Sequence, residues 1–141
     1  MKPRVFLDTN VFIYAYEFPA SNSARVIELL NRGEIEGVTS ERVLHEVQRY
    51  FKQHYGKELA GLWRNYLLVS CVVIPRKQVE ADLLKYQGRI KDKDLEQLAV
   101  TKKFGLKFLV SYDRDFEAFE EYQTPKQFIE KLGLEPASEE F

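Results

Sequence analysis

Five acidic residues in this chain stand at or beside apolar runs, where a soluble fold ordinarily keeps its core. "RVFLDTNVFIYA" runs Val5, Phe6 and Leu7 into Asp8, followed at once by Thr9 and Asn10. A carboxylate at the tip of a buried strand carries a desolvation cost unless charge meets it. Asp8 reads either as a helix N-cap, a position that favours Asp, Thr and Asn, or as a site carboxylate with partners elsewhere. "VLHEVQRYF" puts Glu46 three residues from Val43, beside the stripe of Val43, Leu44, Val47 and Phe51, because residues three or four apart share a helix face. Glu46 is thus a boundary glutamate reaching water or a member of a site. In "KDKDLEQLAV", Asp94 precedes Leu98 by one turn and faces inward. Asp92 lies about 200° round the helix and reads as an N-cap or a solvated charge. "LVSYDRDF" closes an apolar run on Ser111, Asp113 and Asp115. Asp115 reads equally as the cap of a short helix over "FEAFE" and as a site residue.

Acids at two strand ends and on two helix faces point to one place. Carboxylates gathered within a few ångström cannot all stay ionised without a counter-charge. The sequence offers no Lys or Arg at an equivalent buried position, so a divalent cation is the natural counter-ion. All-oxygen ligands suit Mg²⁺ or Mn²⁺. The lone Cys71, in the apolar "SCVVIP", and the absence of a His/Cys cluster argue against zinc and against a disulfide framework. With no His, Cys or Lys placed as nucleophile or base, such an ion would have to activate water itself.

The elements that would carry these residues alternate. "RVFLD", "GVTS", "CVVIP" and "KFLVSYD" read as short, nearly continuous apolar strands, as expected when both faces of a sheet are covered. Between them lie helical patterns. "SNSARVIELLNRGE" has caps at Ser21 to Ser23, and "SERVLHEVQRYFKQHYG" is opened by Ser40. "KELAGLWRNYLLV", "RKQVEADLLKYQGRI" and "KDKDLEQLAVTKKFG" follow, then "TPKQFIEKLG" with Pro125 at its start. The pattern predicts a three-layer α/β/α sandwich around a mostly parallel sheet of four or five strands. Ligands in such folds bind beyond the carboxyl ends of the strands, where Asp8 and Asp113 fall. Residues 1–135 are expected to form one domain and 136–141 a frayed tail.

Length and composition fit one globular domain of 141 residues with 45% hydrophobic and 13% aromatic content. Charged residues interrupt every apolar run near the start, and no run approaches the roughly 20 apolar residues of a membrane span. A cytoplasmic protein with no membrane partner is expected. The net charge of −1 does not advertise nucleic-acid binding. The near-equal numbers of basic and acidic residues still leave room for a basic face.

Taken together, "LDTNVFIYA", "TSERVLHEV", "DLEQLAVTKKFGLKFLVSYDRDF" and "TPKQFIEKL" resemble the PIN-domain family, in particular its VapC-type toxin ribonucleases. The order and spacing of these pieces carry the resemblance over about residues 4 to 133. It implies a PIN-like fold and a Mg²⁺- or Mn²⁺-dependent endoribonuclease acting on RNA phosphodiesters. It also implies the toxin role of a toxin–antitoxin pair, an antitoxin partner and a homodimer. The family's four acids match Asp8, Glu46, Asp94 and Asp113, with Asp115 as an accessory and Asn10 and Ser111 as supporting polar residues. Asp8 and Asp113 would hold the more permanent ion, and Glu46 and Asp94 would complete a second position. Glu96 and Gln97 depart from the small or apolar residues the family favours there. Arg42, Arg49, Lys52 and Arg114 are candidates to meet phosphates, and Tyr14, Tyr16 and Tyr50 to stack on bases. A housekeeping nuclease of RNA processing and a non-catalytic RNA- or protein-binding PIN domain are the alternatives. A haloacid-dehalogenase-like phosphatase would want a second Asp at Asn10.

Overall fold

The strand-like runs assemble a parallel sheet in the computed structural model, which describes residues 2–138. The strands are β1 (Arg4–Leu7), β2 (Glu36–Ser40), β3 (Cys71–Ile74), β4 (Phe108–Val110) and β5 (Tyr122–Gln123). Their order is β3-β2-β1-β4-β5 and every pairing is parallel. Val5, Phe6 and Leu7 are wholly buried, which is why β1 shows no polar alternation: both its faces are covered. The fifth strand is two residues long, too short to leave a periodic signal in the sequence. In β2, Gly37 is a packing requirement. A Cβ there would stand 2.9 Å from Leu30 Cδ1 and 3.0 Å from Cys71 Sγ.

The helices are α1 (Thr9–Glu17), α2 (Asn22–Asn31), α3 (Glu41–Tyr55), α4 (Lys57–Ser70), α5 (Glu80–Tyr86), α6 (Leu95–Lys103) and α7 (Pro125–Lys131). The crossovers β1–α1–α2–β2 and β2–α3–α4–β3 step the same way along the sheet, and β3–α5–α6–β4 returns across it. Right-handed crossovers therefore place α1 to α4 on one face and α5 and α6 on the other. The result is the α/β/α sandwich. Ser40 caps α3 by accepting from Val43 N, and Thr124 and Gln127 form a reciprocal capping box on α7.

One helix goes unmarked in the sequence, and two local expectations change. α1 occupies "TNVFIYAYE", a stretch whose β-branched and aromatic residues disguise a helix. Burial of Val11 and Phe12, the latter edge-on to Trp63, overrides that propensity. "RKQVEADLLKYQGRI" is not one helix but a 3-10 turn at Arg76–Gln78 followed by the short α5, which stops before Gly88 with its φ of 84°. α6 likewise starts only at Leu95, after a 3-10 turn at Asp92–Asp94.

At the C-terminal end, Asn22 holds Ala137 by two hydrogen bonds, of 2.7 and 3.3 Å. The last three residues of the expected tail, 139–141, lie outside the described residues. Among the described residues no helix is long and apolar enough to cross a membrane.

Candidate active site

The strand order reverses at β1 and β4: the connection after β1 runs toward β2, and that after β4 toward β5. Such a switch point opens a crevice at the carboxyl edge of a sheet; Asp8 follows directly on β1, and Asp113 comes after Ser111 and Tyr112 beyond the end of β4. Asp8 N still bonds to Val110 O at 3.1 Å, so the strand pairing carries the acid to the edge. Asp8 is only 4% exposed. It is also the N-cap of α1, accepting from Thr9 N at 2.8 Å. Cap and cluster member are therefore one residue.

Ser111 is the hub. Its buried hydroxyl donates to Asp8 Oδ2 at 2.6 Å and accepts from Asn10 Nδ2 at 3.2 Å and from Asp113 N at 2.9 Å. Those three bonds exhaust a hydroxyl's one donor and two acceptor positions. Asn10 is fixed in turn, because its Oδ1 accepts from Tyr112 N at 3.1 Å. Asn10 therefore reaches Asp8 through Ser111. Glu46 joins from α3 through a residue the sequence did not single out: Thr9 Oγ1 donates to Glu46 Oε1 at 2.8 Å. Its other oxygen lies 3.6 Å from Arg42 Nε.

The tightest acid group is Asp94, Asp113 and Asp115, each offering one oxygen, all within 4.8 Å of one another. Asp94 is 2% exposed, whereas Asp92 is exposed. Asp94, not Asp92, holds the N-cap position of α6, without a side-chain capping bond. Asp113 caps a 3-10 turn at Arg114–Phe116, its Oδ1 accepting from Asp115 N at 2.9 Å. No helix forms over "FEAFE", so Asp115 caps nothing and is left to the cluster.

A second correction concerns charge. The sequence offers no Lys or Arg at a buried position among these acids, yet Lys93 reaches in from the 3-10 turn. Its Nζ lies 2.6 Å from Asp113 Oδ2, 3.0 Å from Asp94 Oδ2 and 3.6 Å from Asp115 Oδ2. Lys91 adds a contact of 3.2 Å to Asp115. The exposed backbone around Lys93 hides this role in the sequence, because only the fold brings its ammonium to Asp113.

The electrostatics follow from burial and this cation. Burial raises the Asp94 carboxyl to about 6; the Lys93 hydrogen bond opposes the rise and the Asp113 charge adds to it. Burial also raises Asp8, against the bonds from Ser111 and Thr9 and with the Glu46 charge. For Asp113, burial is outweighed by Lys93 and the Asp115 N–H, and the carboxyl falls below its ordinary value. Burial would lower the Lys93 ammonium, but its bonds to Asp113 and Asp94 raise it well above the ordinary lysine range. One acid is thus held ionised and two are inclined to keep a proton, as in other clusters short of positive charge. Cys71, by contrast, is a packed thiol that burial pushes up to about 12.

This arrangement fits a hard divalent cation. Oxygens on one octahedral Mg²⁺ at about 2.1 Å stand about 3 to 4.2 Å apart, so the trio would draw together to take the ion. The protein's own ammonium already lies against all three, which shows that the pocket draws in positive charge. Asp8 and Glu46 border the trio: the Asp8 charge acts on Asp94, and the Glu46 charge acts on Asp8.

Glu96 and Gln97, where the sequence departs from the family's preference, are both buried. Glu96 accepts from Arg42 N at 2.7 Å and from Arg76 Nη1 at 2.9 Å, tying α6 to the start of α3 and the end of β3. Gln97 reaches Asp8 with its side-chain amide, opposing the rise in that carboxyl's pKa. Of the tyrosines, Tyr16 packs edge-on to Phe51 and Trp63, and Tyr50 donates to Glu17 Oε2 at 2.6 Å.

The fold is shared with solved toxins. A toxin–antitoxin complex from Klebsiella pneumoniae matches with a TM-score of 0.67 at 19% identity, over 86% of this chain and 97% of that one. VapC20 of Mycobacterium tuberculosis, a sarcin–ricin-loop-cleaving toxin, matches with 0.61 at 20% identity, over 81% and 93%. VapBC-1 from nontypeable Haemophilus influenzae matches with 0.61 at 23% identity, over 86% and 98%. No curated protein sequence matches the chain. The sequence model of the PIN domain covers residues 4–115, a span that includes every acid of the cluster and most of the chain, and the chain belongs to the PIN-domain family.

Proposed function

We propose that this protein is a Mg²⁺- or Mn²⁺-dependent endoribonuclease, the toxin of a toxin–antitoxin pair. The observation that carries this reading is the carboxylate trio gathered round a cation at the carboxyl edge of the sheet, with Asp8 and Glu46 beside it. Asp94, Asp113 and Asp115 would hold the ion. Once bound, it would supply Lewis acidity, drawing charge from the phosphoryl oxygens and acidifying water. The chain's own residues do the positioning. Ser111 locks Asp8 and the Asp113 backbone to one point, and Asn10 locks Ser111. Thr9 aims Glu46 at the same edge. A group held this rigidly orients a phosphodiester for attack without reorganising during the reaction.

The solved toxin–antitoxin complexes support an antitoxin as partner, and α4 supplies apolar surface for an antitoxin or a second copy of the chain, with Leu62 59% and Val69 86% exposed. A cytoplasmic location accords with that role.

The test is direct. Purified protein should cut single-stranded RNA with Mg²⁺ or Mn²⁺ and stop on addition of EDTA. Asp94→Asn should lower turnover at least about 100-fold while RNA affinity holds, because an acid that steadies the transition state contributes little to ground-state binding. Cleavage that persists in EDTA refutes the metal reading, and no cleavage under any divalent ion refutes the nuclease.

A further inference from the structure

Next to the acid cluster lies an open cleft of about 480 Å³. We propose that it is a nucleotide subsite: Arg42 and Arg76 take one phosphodiester of single-stranded RNA, and Leu83, Leu84 and Leu95 carry its base. This rests on the reading of the chain as an RNA-acting protein and names where one nucleotide of that RNA is held.

The guanidinia are built for it. Glu96, 2% exposed, holds Arg76 through a bond to Nη1 at 2.9 Å, and the half-exposed Arg76 side chain lines the cleft. Arg42 Nε is buried with no hydrogen-bond partner among the described residues, and lies 3.6 Å from Glu46 Oε2. Two partly unsatisfied forks lining one cleft match the bidentate geometry of a phosphate. Because Arg42 also touches Glu46, that phosphate would neighbour the one at the acids.

The remainder of the lining suits a base. Leu84 is 74% exposed with nothing over it, and the three leucines offer an apolar floor. Glu80, Gln87 and Asp92 complete the lining and bring hydrogen-bond acceptors. The acceptors favour a base with an exocyclic amino group over uracil.

Binding of short labelled RNA to the Asp94→Asn protein in EDTA, followed by fluorescence anisotropy, tests this without hydrolysis. Arg42→Gln should weaken binding about 10-fold and reduce the slope of affinity against salt by about 0.7, the share of one phosphate on a single strand. Leu84→Asn should weaken it roughly 5-fold with the salt slope unchanged, because it removes base contact alone. Leu134→Asn, an exposed leucine beyond α7 and outside the cleft, should leave affinity as it is. An all-cytidine strand should bind more tightly than an all-uridine one. Arg76→Gln should behave as Arg42→Gln; should it fail to fold, Arg42→Gln and Leu84→Asn decide. Unchanged affinity in those two variants, or no RNA binding by the parent, overturns the subsite. A chain that cuts RNA yet binds it equally in every variant loses the subsite and keeps the nuclease. A chain that binds through the cleft but never cuts keeps the subsite and loses the nuclease.

Discussion

Replacing Lys93 with Met removes the one positive charge that touches all three acids of the trio and keeps much of the side chain's length. The magnitude follows from the geometry. The ammonium makes contacts of 2.6, 3.0 and 3.6 Å to Asp113, Asp94 and Asp115, but its side chain is 50% exposed. The 3–5 kcal/mol typical of breaking a fully buried pair must therefore be discounted for solvent screening, to about 2 kcal/mol. For a domain of this size the unfolding entropy is roughly 0.3 kcal/mol per degree, so the metal-free melting temperature should fall by about 7 °C. A divalent ion supplies the charge that Lys93 provides and must displace its ammonium to do so. Added Mg²⁺ should therefore raise the melting temperature more in Lys93→Met than in the wild type. Calorimetric titration with Mn²⁺ should show binding about 10- to 30-fold tighter, the same 2 kcal/mol expressed as affinity. Thermal melts in EDTA and in Mg²⁺, with both proteins, check the two halves independently. A variant as stable as wild type in EDTA, with the same response to Mg²⁺, refutes the idea that Lys93 stands in for the cation.

Other perturbations read the same site. The Asp94 carboxyl at about 6 holds its proton more tightly folded than unfolded, so its contribution to metal-free stability is present at low pH and lost as pH rises through about 6, and the raised Asp8 acts in the same direction. The lowered Asp113 acts oppositely, losing its contribution only as pH falls below the ordinary carboxylate range. Denaturant melts in EDTA should find the metal-free protein more stable near pH 5 than near pH 8, and Asp94→Asn should flatten that slope. Asp8→Asn keeps a good helix cap and removes a buried charge, so without metal it should melt no lower than wild type while losing cleavage. Ser111→Ala leaves Asp8 Oδ2 and Asn10 Nδ2 without their shared partner and should cost about 2–3 kcal/mol in denaturant melts. Glu96→Ala removes the acceptor of the half-exposed Arg76 guanidinium and of the α3 N-terminus, and should cost about 2 kcal/mol after solvent screening, with Glu96→Gln milder.

Much of the fold was legible because its strands are buried on both faces. Val5 to Leu7 and Phe108 to Val110 leave unbroken apolar runs, and helix starts at Ser40 and Thr124 carry recognisable caps. What failed to show has physical reasons. α1 is built from residues with strand propensity, and its Asp8 cap, its packing against α2 and α3 and the contact of Phe12 with Trp63 make it helical. β5 has two residues and no room for a period. α5 is half the length its polar, evenly patterned segment predicts, because nothing in that pattern marks the 3-10 turn at Arg76–Gln78 that takes up its start.

The acids show the same division more sharply. Asp94 was readable as inward because α6 keeps its period back to Leu98, and Asp113 because it ends an apolar strand. The sequence posed Asp8 as cap or site; the structure makes it the cap of α1 and, because that helix is entered straight from a buried strand, sets the cap at the sheet's carboxyl edge beside the acid trio. Lys93 was unreadable for the converse reason. It lies on an exposed 3-10 turn, among residues whose pattern is that of any solvated loop, and its partner Asp113 is 20 residues away in the chain. Burying one face of a turn leaves a tell-tale in the sequence, whereas satisfying a charge from its exposed face does not. Hence the cluster's negative half could be listed from apolar patterning, and its positive half required the fold. The same asymmetry explains Glu96. Its neighbour Asp94 follows the helix period, but Glu96 is buried because Arg76, from the end of another strand, comes to meet it. A buried charge held by a partner from a distant element has no periodic signature. Such residues are where a family pattern and an individual sequence are free to differ, and in this chain Glu96 secures the arginine that lines the cleft beside the acids.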